Sequence, residues 1–137
     1  MAAPRPVASL LGSDAVLIAA RIVLTCPFWI SGLTKLGNWP SALGEMEHFG
    51  LSPAGPLASL VIVLQLGGSA AIIAGRWTWL AAGALGIFTG VATLIAHAFW
   101  TYPASERFAQ TNTFFEHMSI IAGLALAAIL ADGERRQ

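Results

Sequence analysis

Two long stretches without a formal charge set the limits on this chain. No Asp, Glu, Lys or Arg occurs between His48 and Arg76, and none between Arg76 and Glu106. Crossing a hydrocarbon core of about 30 Å takes roughly 20 helical residues, and each stretch is long enough to hold such a segment. Over all 137 residues only 10% are charged, whereas 56% are hydrophobic. A soluble domain this small has a large surface, which charged side chains normally cover. Seven basic and seven acidic residues are too few for that. The composition therefore argues against a soluble globular enzyme, and its apolar content excludes a disordered chain. The formal net charge is zero, so there is no basic footprint for nucleic acid. The single cysteine, Cys26, cannot make an intrachain disulfide, a CxxC pair or a Cys-rich metal site.

The expected architecture is an all-α integral membrane protein, an antiparallel bundle of four transmembrane helices with a short outer-loop helix, in one domain over residues 1–137. Helices are required because a spanning segment must satisfy its own backbone, and four strands could not close a barrel. The spans are placed at about Asp14–Leu36, Gly55–Ala74, Thr78–Phe99 and Asn112–Ala131. The first and last reach spanning length only by taking in polar residues, Arg21 in one and Glu116 with His117 in the other. Trp77 and Trp79 mark one interface, and Trp39, Trp100 and Tyr102 the other. Small residues that would permit close helix approach recur at Gly67, Gly68, Gly75, Gly86, Gly90, Gly123 and Ala127. Arg5, Arg76, Arg135 and Arg136 fall on one side of the membrane, Lys35 and Arg107 on the other, which places both termini in the cytoplasm. Asp14 and Arg21 interrupt the first apolar run, so it does not read as a cleavable signal. Ser41–Phe49, ended by Gly50, is expected as a short helix along the outer surface.

An ionisable side chain inside a span is costly and marks a candidate site. Arg21 and Gln65 are expected at similar depth, within reach of a hydrogen bond. Lys35 lies close to four full turns after Arg21, with Phe28 between them on the same face. Lys35 and Glu116 are at comparable depth in the outer half, where they could pair. His97 and His117 fall within about a turn of the same level, close to Phe99, Trp100, Phe114 and Phe115. Such a group could hydrogen-bond and stack against a quinone head group, or relay a proton through His97, Glu116 and His117. It could equally be a structural network tying three helices together. A metal is not expected, because adjacent Glu116 and His117 point about 100° apart on a helix.

These segments together resemble the DoxX family of small four-helix bacterial membrane proteins. The first helix carries RIVLTCPF from Arg21 to Phe28 and then SGLTKL from Ser31 to Leu36, similar to the family's arginine, aromatic and SGxxKL. Gln65 precedes the paired Gly67 and Gly68, and His97 opens HAFW, like the family's HxFW. Phe115 to Gly123 looks like its NLAxxGG segment, although His117 stands where many members have Asn and Ala122 replaces one glycine. The resemblance implies a membrane subunit of a quinone-linked redox complex in the bacterial inner membrane, similar to that of a thiosulfate:quinone oxidoreductase.

Three readings follow. In the first, His97, Glu116 and His117 face a cavity and handle a quinone or its protons, with Arg21, Lys35, Gln65 and Trp100 helping to bind it. No haem, flavin or metal site is evident in the sequence, so another redox subunit would supply the electron-transfer cofactor. In the second, the chain is a non-catalytic anchor or assembly scaffold, docking a periplasmic oxidoreductase through Ser41–Phe49 and the Trp100–Asn112 loop. In the third, it binds a small solute or lipid. The lipid bilayer is the partner common to all three, and the small-residue faces would allow a homo-oligomer without requiring one.

Overall fold

The computed structural model describes residues 3–135. Its elements are α1 (Arg5–Leu11), α2 (Asp14–Gly37), α3 (Trp39–His48), α4 (Ala54–Ile73), α5 (Thr78–Ala96), a 3-10 turn at Phe99–Thr101 and α6 (Ala104–Arg135). Four of the helices are long and apolar enough to cross a membrane. The side chains they leave exposed include Val63, Ile87, Phe108 and Ile129. In water these would form an untenable apolar surface; in a bilayer they are lipid contacts. This is an all-α membrane bundle, in which α2 lies along α4, α5 lies along α6, and α4 against α5 joins the two pairs.

Lipid tails are as apolar as Leu, so close packing and internal hydrogen bonds must hold such helices together. The packing centres on Phe28, Ile72, Leu85 and Leu124. Three glycines make room for it. A methyl group on Gly68 would meet Leu85 Cγ at 2.9 Å, one on Gly32 would meet Leu66 Cδ2 at 2.8 Å, and one on Gly123 would meet Leu24 Cδ1 at 2.9 Å. The GxxxG pair behaves otherwise: nothing approaches Gly86, and Gly90 meets only Ile121 at 3.9 Å. Most buried hydroxyls satisfy themselves on their own helices, as hydrocarbon surroundings demand; Thr78 Oγ1, at the start of α5, is buried without a partner among the described residues. Thr25 donates to the Arg21 carbonyl, Ser69 to that of Gln65, and Thr89 to that of Leu85.

Two helix ends are closed in the same way. Gly50 and Gly75 both take φ +68°. Behind α3, Gly50 N–H donates to Glu47 O and Leu51 N–H to Met46 O; behind α4, Gly75 N–H donates to Ile72 O and Arg76 N–H to Ala71 O. This paired pattern caps the last carbonyls and needs a left-handed residue, which glycine supplies without a Cβ clash. Leu51 then folds back onto Met46, Ala42 and Ala58, seating α3 on α4.

The expected boundaries shift in two places. α5 ends at Ala96, short of the expected Phe99, because Tyr102 Oη donates to the Ala96 carbonyl at 2.8 Å and His97 leaves helical geometry. The last helix starts at Ala104 instead of Asn112. Pro103 opens its first turn, accepting from the N–H groups of Glu106 and Arg107, so most of the expected Trp100–Asn112 loop is helical. Helix α1 has no counterpart in the sequence reading.

Candidate functional site

Between the two helix pairs, toward the end of the bundle that carries α3 and the 3-10 turn, lies a cavity of about 710 Å³. That size is usual for a small-molecule site. Its walls are mainly apolar: Phe28 from α2, Val61 from α4, Phe88 and Ile95 from α5, and Ile120 from α6. Met46, Glu45 and His48 of α3 border it, so α3 forms part of its rim.

Polar groups enter from both sides. On the α2–α4 side, Gln65 is 4% exposed. Its Nε2 donates to Ser31 Oγ at 3.3 Å, and its Oε1 is buried with no hydrogen-bond partner among the described residues. Ser31 Oγ also accepts from Lys35 Nζ at 2.8 Å, and Lys35 Nζ lies 2.9 Å from Glu45 Oε2. A chain of polar contacts therefore runs from the rim at Glu45, through a buried lysine, to the amide of Gln65.

On the α5–α6 side, His97 and His117 meet edge to face with ring centroids 5.1 Å apart. His117 Nδ1 lies 2.8 Å from Thr93 Oγ1, and that hydroxyl contacts the Thr89 carbonyl at 2.6 Å. His97 Nδ1 lies 2.7 Å from Gln110 Oε1. Each ring is thus held through one nitrogen by a neighbour on the other helix, and both rings border the cavity.

Of the residues expected in the site, His97, His117 and Gln65 line this cavity. Lys35 stands behind Ser31, one side chain removed from it, and its carboxylate partner is Glu45 of α3, not Glu116. Glu116 is exposed on the outer face of α6. It immediately precedes His117 on the helix, and a step of about 100° turns it away when His117 points inward. Trp100 is also outside, packed on Phe99 and Phe114 with 56% of its surface exposed. Arg21 lies at the opposite end of the bundle, its Nη1 2.7 Å from where a Cβ on Gly75 would stand. Gln65 bonds to Ser31 rather than to Arg21.

Sequence reasoning missed Ser31, Thr93, Gln110 and Glu45. Thr89 and Thr93, four residues apart on one helical face, were the available signal. Gln110 falls within the expected Trp100–Asn112 loop, and it reaches His97 because α6 already begins at Ala104. Among the described residues no group of three or more His, Cys, Asp or Glu is placed to hold a metal ion.

The family model described as DoxX matches residues 16–98, more than half of the chain, from α2 through the end of α5. No curated protein and no solved structure matches it.

Proposed function

The chain belongs to the DoxX family, and on that premise we propose that it is a membrane subunit whose cavity receives the head group of a quinone, working with an oxidoreductase partner. One observation carries this reading. The paired histidines and the half-unpaired amide of Gln65 border the same apolar cavity, from opposite helix pairs.

The residues fit such a group. A quinone ring has flat apolar faces and oxygens at its edges. Phe28, Phe88 and Ile120 offer apolar walls, while Gln65 and His117 offer polar contacts. A buried amide oxygen without a partner costs roughly 1–3 kcal/mol, so a ligand toward which the Gln65 side chain turns removes a standing penalty. When bound, a quinone supplies a two-electron, two-proton couple. The protein's part is to orient the ring through Gln65, to keep bulk water away by enclosing it among apolar side chains, and to offer imidazole nitrogens as proton acceptors near its edge. The majority of basic residues on the side of the termini supports a cytoplasmic placement for both ends in a bacterial inner membrane.

The test is extraction. Chain purified from bacterial membranes should carry quinone in its lipid extract, and Gln65→Leu with His117→Phe should remove it while the protein stays helical. Quinone that persists in the double variant would place it elsewhere. No quinone, together with a co-purifying enzyme that is lost when α3 is deleted, would favour the scaffold reading.

A further inference from the structure

Resting on that reading, we infer that the cavity is built for the reduced, hydroxyl-bearing form of its ligand, a hydroquinone, and that Thr93 sets this preference by fixing the hydrogen on His117.

The argument counts protons. A threonine hydroxyl has one hydrogen to give and lone pairs to receive. Thr93 Oγ1 lies 2.6 Å from the Thr89 carbonyl, which can only accept. Its hydrogen is committed there. Toward His117 Nδ1, 2.8 Å away, the same oxygen must therefore accept, so Nδ1 carries a hydrogen. The reverse arrangement would press two lone-pair-bearing oxygens together at 2.6 Å. Thr89 cannot relieve this, because its own hydroxyl donates to Leu85 O at 2.7 Å.

A neutral imidazole with hydrogen on Nδ1 has a bare lone pair on Nε2. That nitrogen makes no hydrogen bond within the described residues. His97 differs: its Nδ1 lies against the Gln110 amide, which can turn over, so its tautomer is not fixed in this way. Across the cavity Gln65 Oε1 is buried and unpartnered among the described residues, so it accepts from a ligand only once the side chain turns. Turning the Gln65 amide over would present Nε2 instead, so Gln65 can meet either polarity. His117 cannot, since its tautomer is fixed by Thr93. A hydroquinone hydroxyl donates into the Nε2 lone pair, whereas a quinone carbonyl brings a second lone pair against it. Sites built around one hydrogen bond reject the partner that cannot make it.

The experiment is an anaerobic titration of the detergent-solubilised full chain with a decyl-tailed benzoquinone and with its hydroquinone, at alkaline pH where imidazoles are neutral. The expected result is about tenfold tighter binding of the hydroquinone, the equivalent of one good hydrogen bond. By linkage, the bound couple would then have a midpoint potential about 30 mV higher than the free one. Thr93→Val keeps the side-chain shape but frees the tautomer, so the preference should fall toward one with the oxidised form still bound. Equal or tighter binding of the quinone by the wild-type chain overturns the inference and leaves the cavity reading standing. Binding of neither form overturns both. Should Thr93→Val fail to fold, the ¹⁵N shifts of His117 in the ligand-free wild-type chain decide: hydrogen on Nδ1 supports the inference, and hydrogen on Nε2 overturns it.

Discussion

Lys35 Nζ lies 2.9 Å from Glu45 Oε2 and 2.8 Å from Ser31 Oγ, so one ammonium joins the last turns of α2 to the rim helix α3 and to the cavity wall. The two partners are unlike in burial, with side chains 10% and 44% exposed. This asymmetry decides which substitution hurts more. Glu45→Gln leaves a buried charge without its counter-charge, at a cost of about 1–2 kcal/mol, below the range for a fully buried pair because Glu45 meets solvent. Lys35→Met removes the buried charge and leaves Glu45 to water, so it should cost less. The double variant should lie close to Lys35→Met alone. Melting curves in detergent give the three values, and strict additivity would show that the pair is not coupled.

The paired glycines of α4 should respond in opposite ways. A methyl group on Gly68 would stand 2.9 Å from Leu85 Cγ and 3.0 Å from Cδ1, and Leu85 is fully buried. Leu85 has nowhere to turn, so Gly68→Ala should destabilise by about 1–3 kcal/mol, the usual cost of overpacking. Nothing lies within 4 Å of the same position on Gly67, which faces outward. Gly67→Ala should shift stability by no more than about 0.5 kcal/mol. Thermal unfolding of both variants separates a packing glycine from a neighbour that merely shares its motif.

What the sequence makes legible follows from the range over which each force acts. The spans can be read because hydrocarbon excludes charge and the Arg76 turn interrupts an otherwise uncharged run. Gln65, His97 and His117 can be found because a polar group in a span is rare enough to stand out. Partners are harder. Lys35 can be placed by depth next to Glu116, but its actual carboxylate comes from α3, whose approach depends on how Leu51 folds back at Gly50. Depth alone also cannot say which way a helix is turned. Glu116 and His117 share a level, yet one faces out and the other lines the cavity. The Gly86–Gly90 spacing has the form of a close-packing motif, but α6 does not approach it closely.

The turn between α4 and α5 offers a test of backbone conformation in the membrane interface. Gly75 has φ +68°, and a Cβ there would stand 2.7 Å from Arg21 Nη1. Trp77, two residues on, has φ +53°. Left-handed backbone costs a residue with a Cβ roughly 1–2 kcal/mol. Gly75→Ala incurs that cost and also displaces Arg21, so it should lower stability by about 2–3 kcal/mol. Gly75→Asn, which tolerates this conformation better, should recover part of the loss unless displacement of Arg21 dominates. Comparing the two melting temperatures tells which effect is larger.

Gln65 is the residue at which stability and binding should part. It is 4% exposed, and among the described residues its side chain makes one long hydrogen bond of 3.3 Å to Ser31 while Oε1 has no partner. Leucine has a similar shape and no unsatisfied atom. Ser31 would still accept from Lys35, so little else is lost. Gln65→Leu should therefore leave the melting temperature of the ligand-free chain unchanged or raise it, because a penalty of about 1–3 kcal/mol is relieved. The same change removes the polar contact opposite His117 and should weaken hydroquinone binding about tenfold or more. Calorimetric melting and a binding titration on one preparation are sufficient. A variant that melts lower and binds as before would mean that the amide serves the helix packing, and the polar wall facing His117 would lose its assigned purpose.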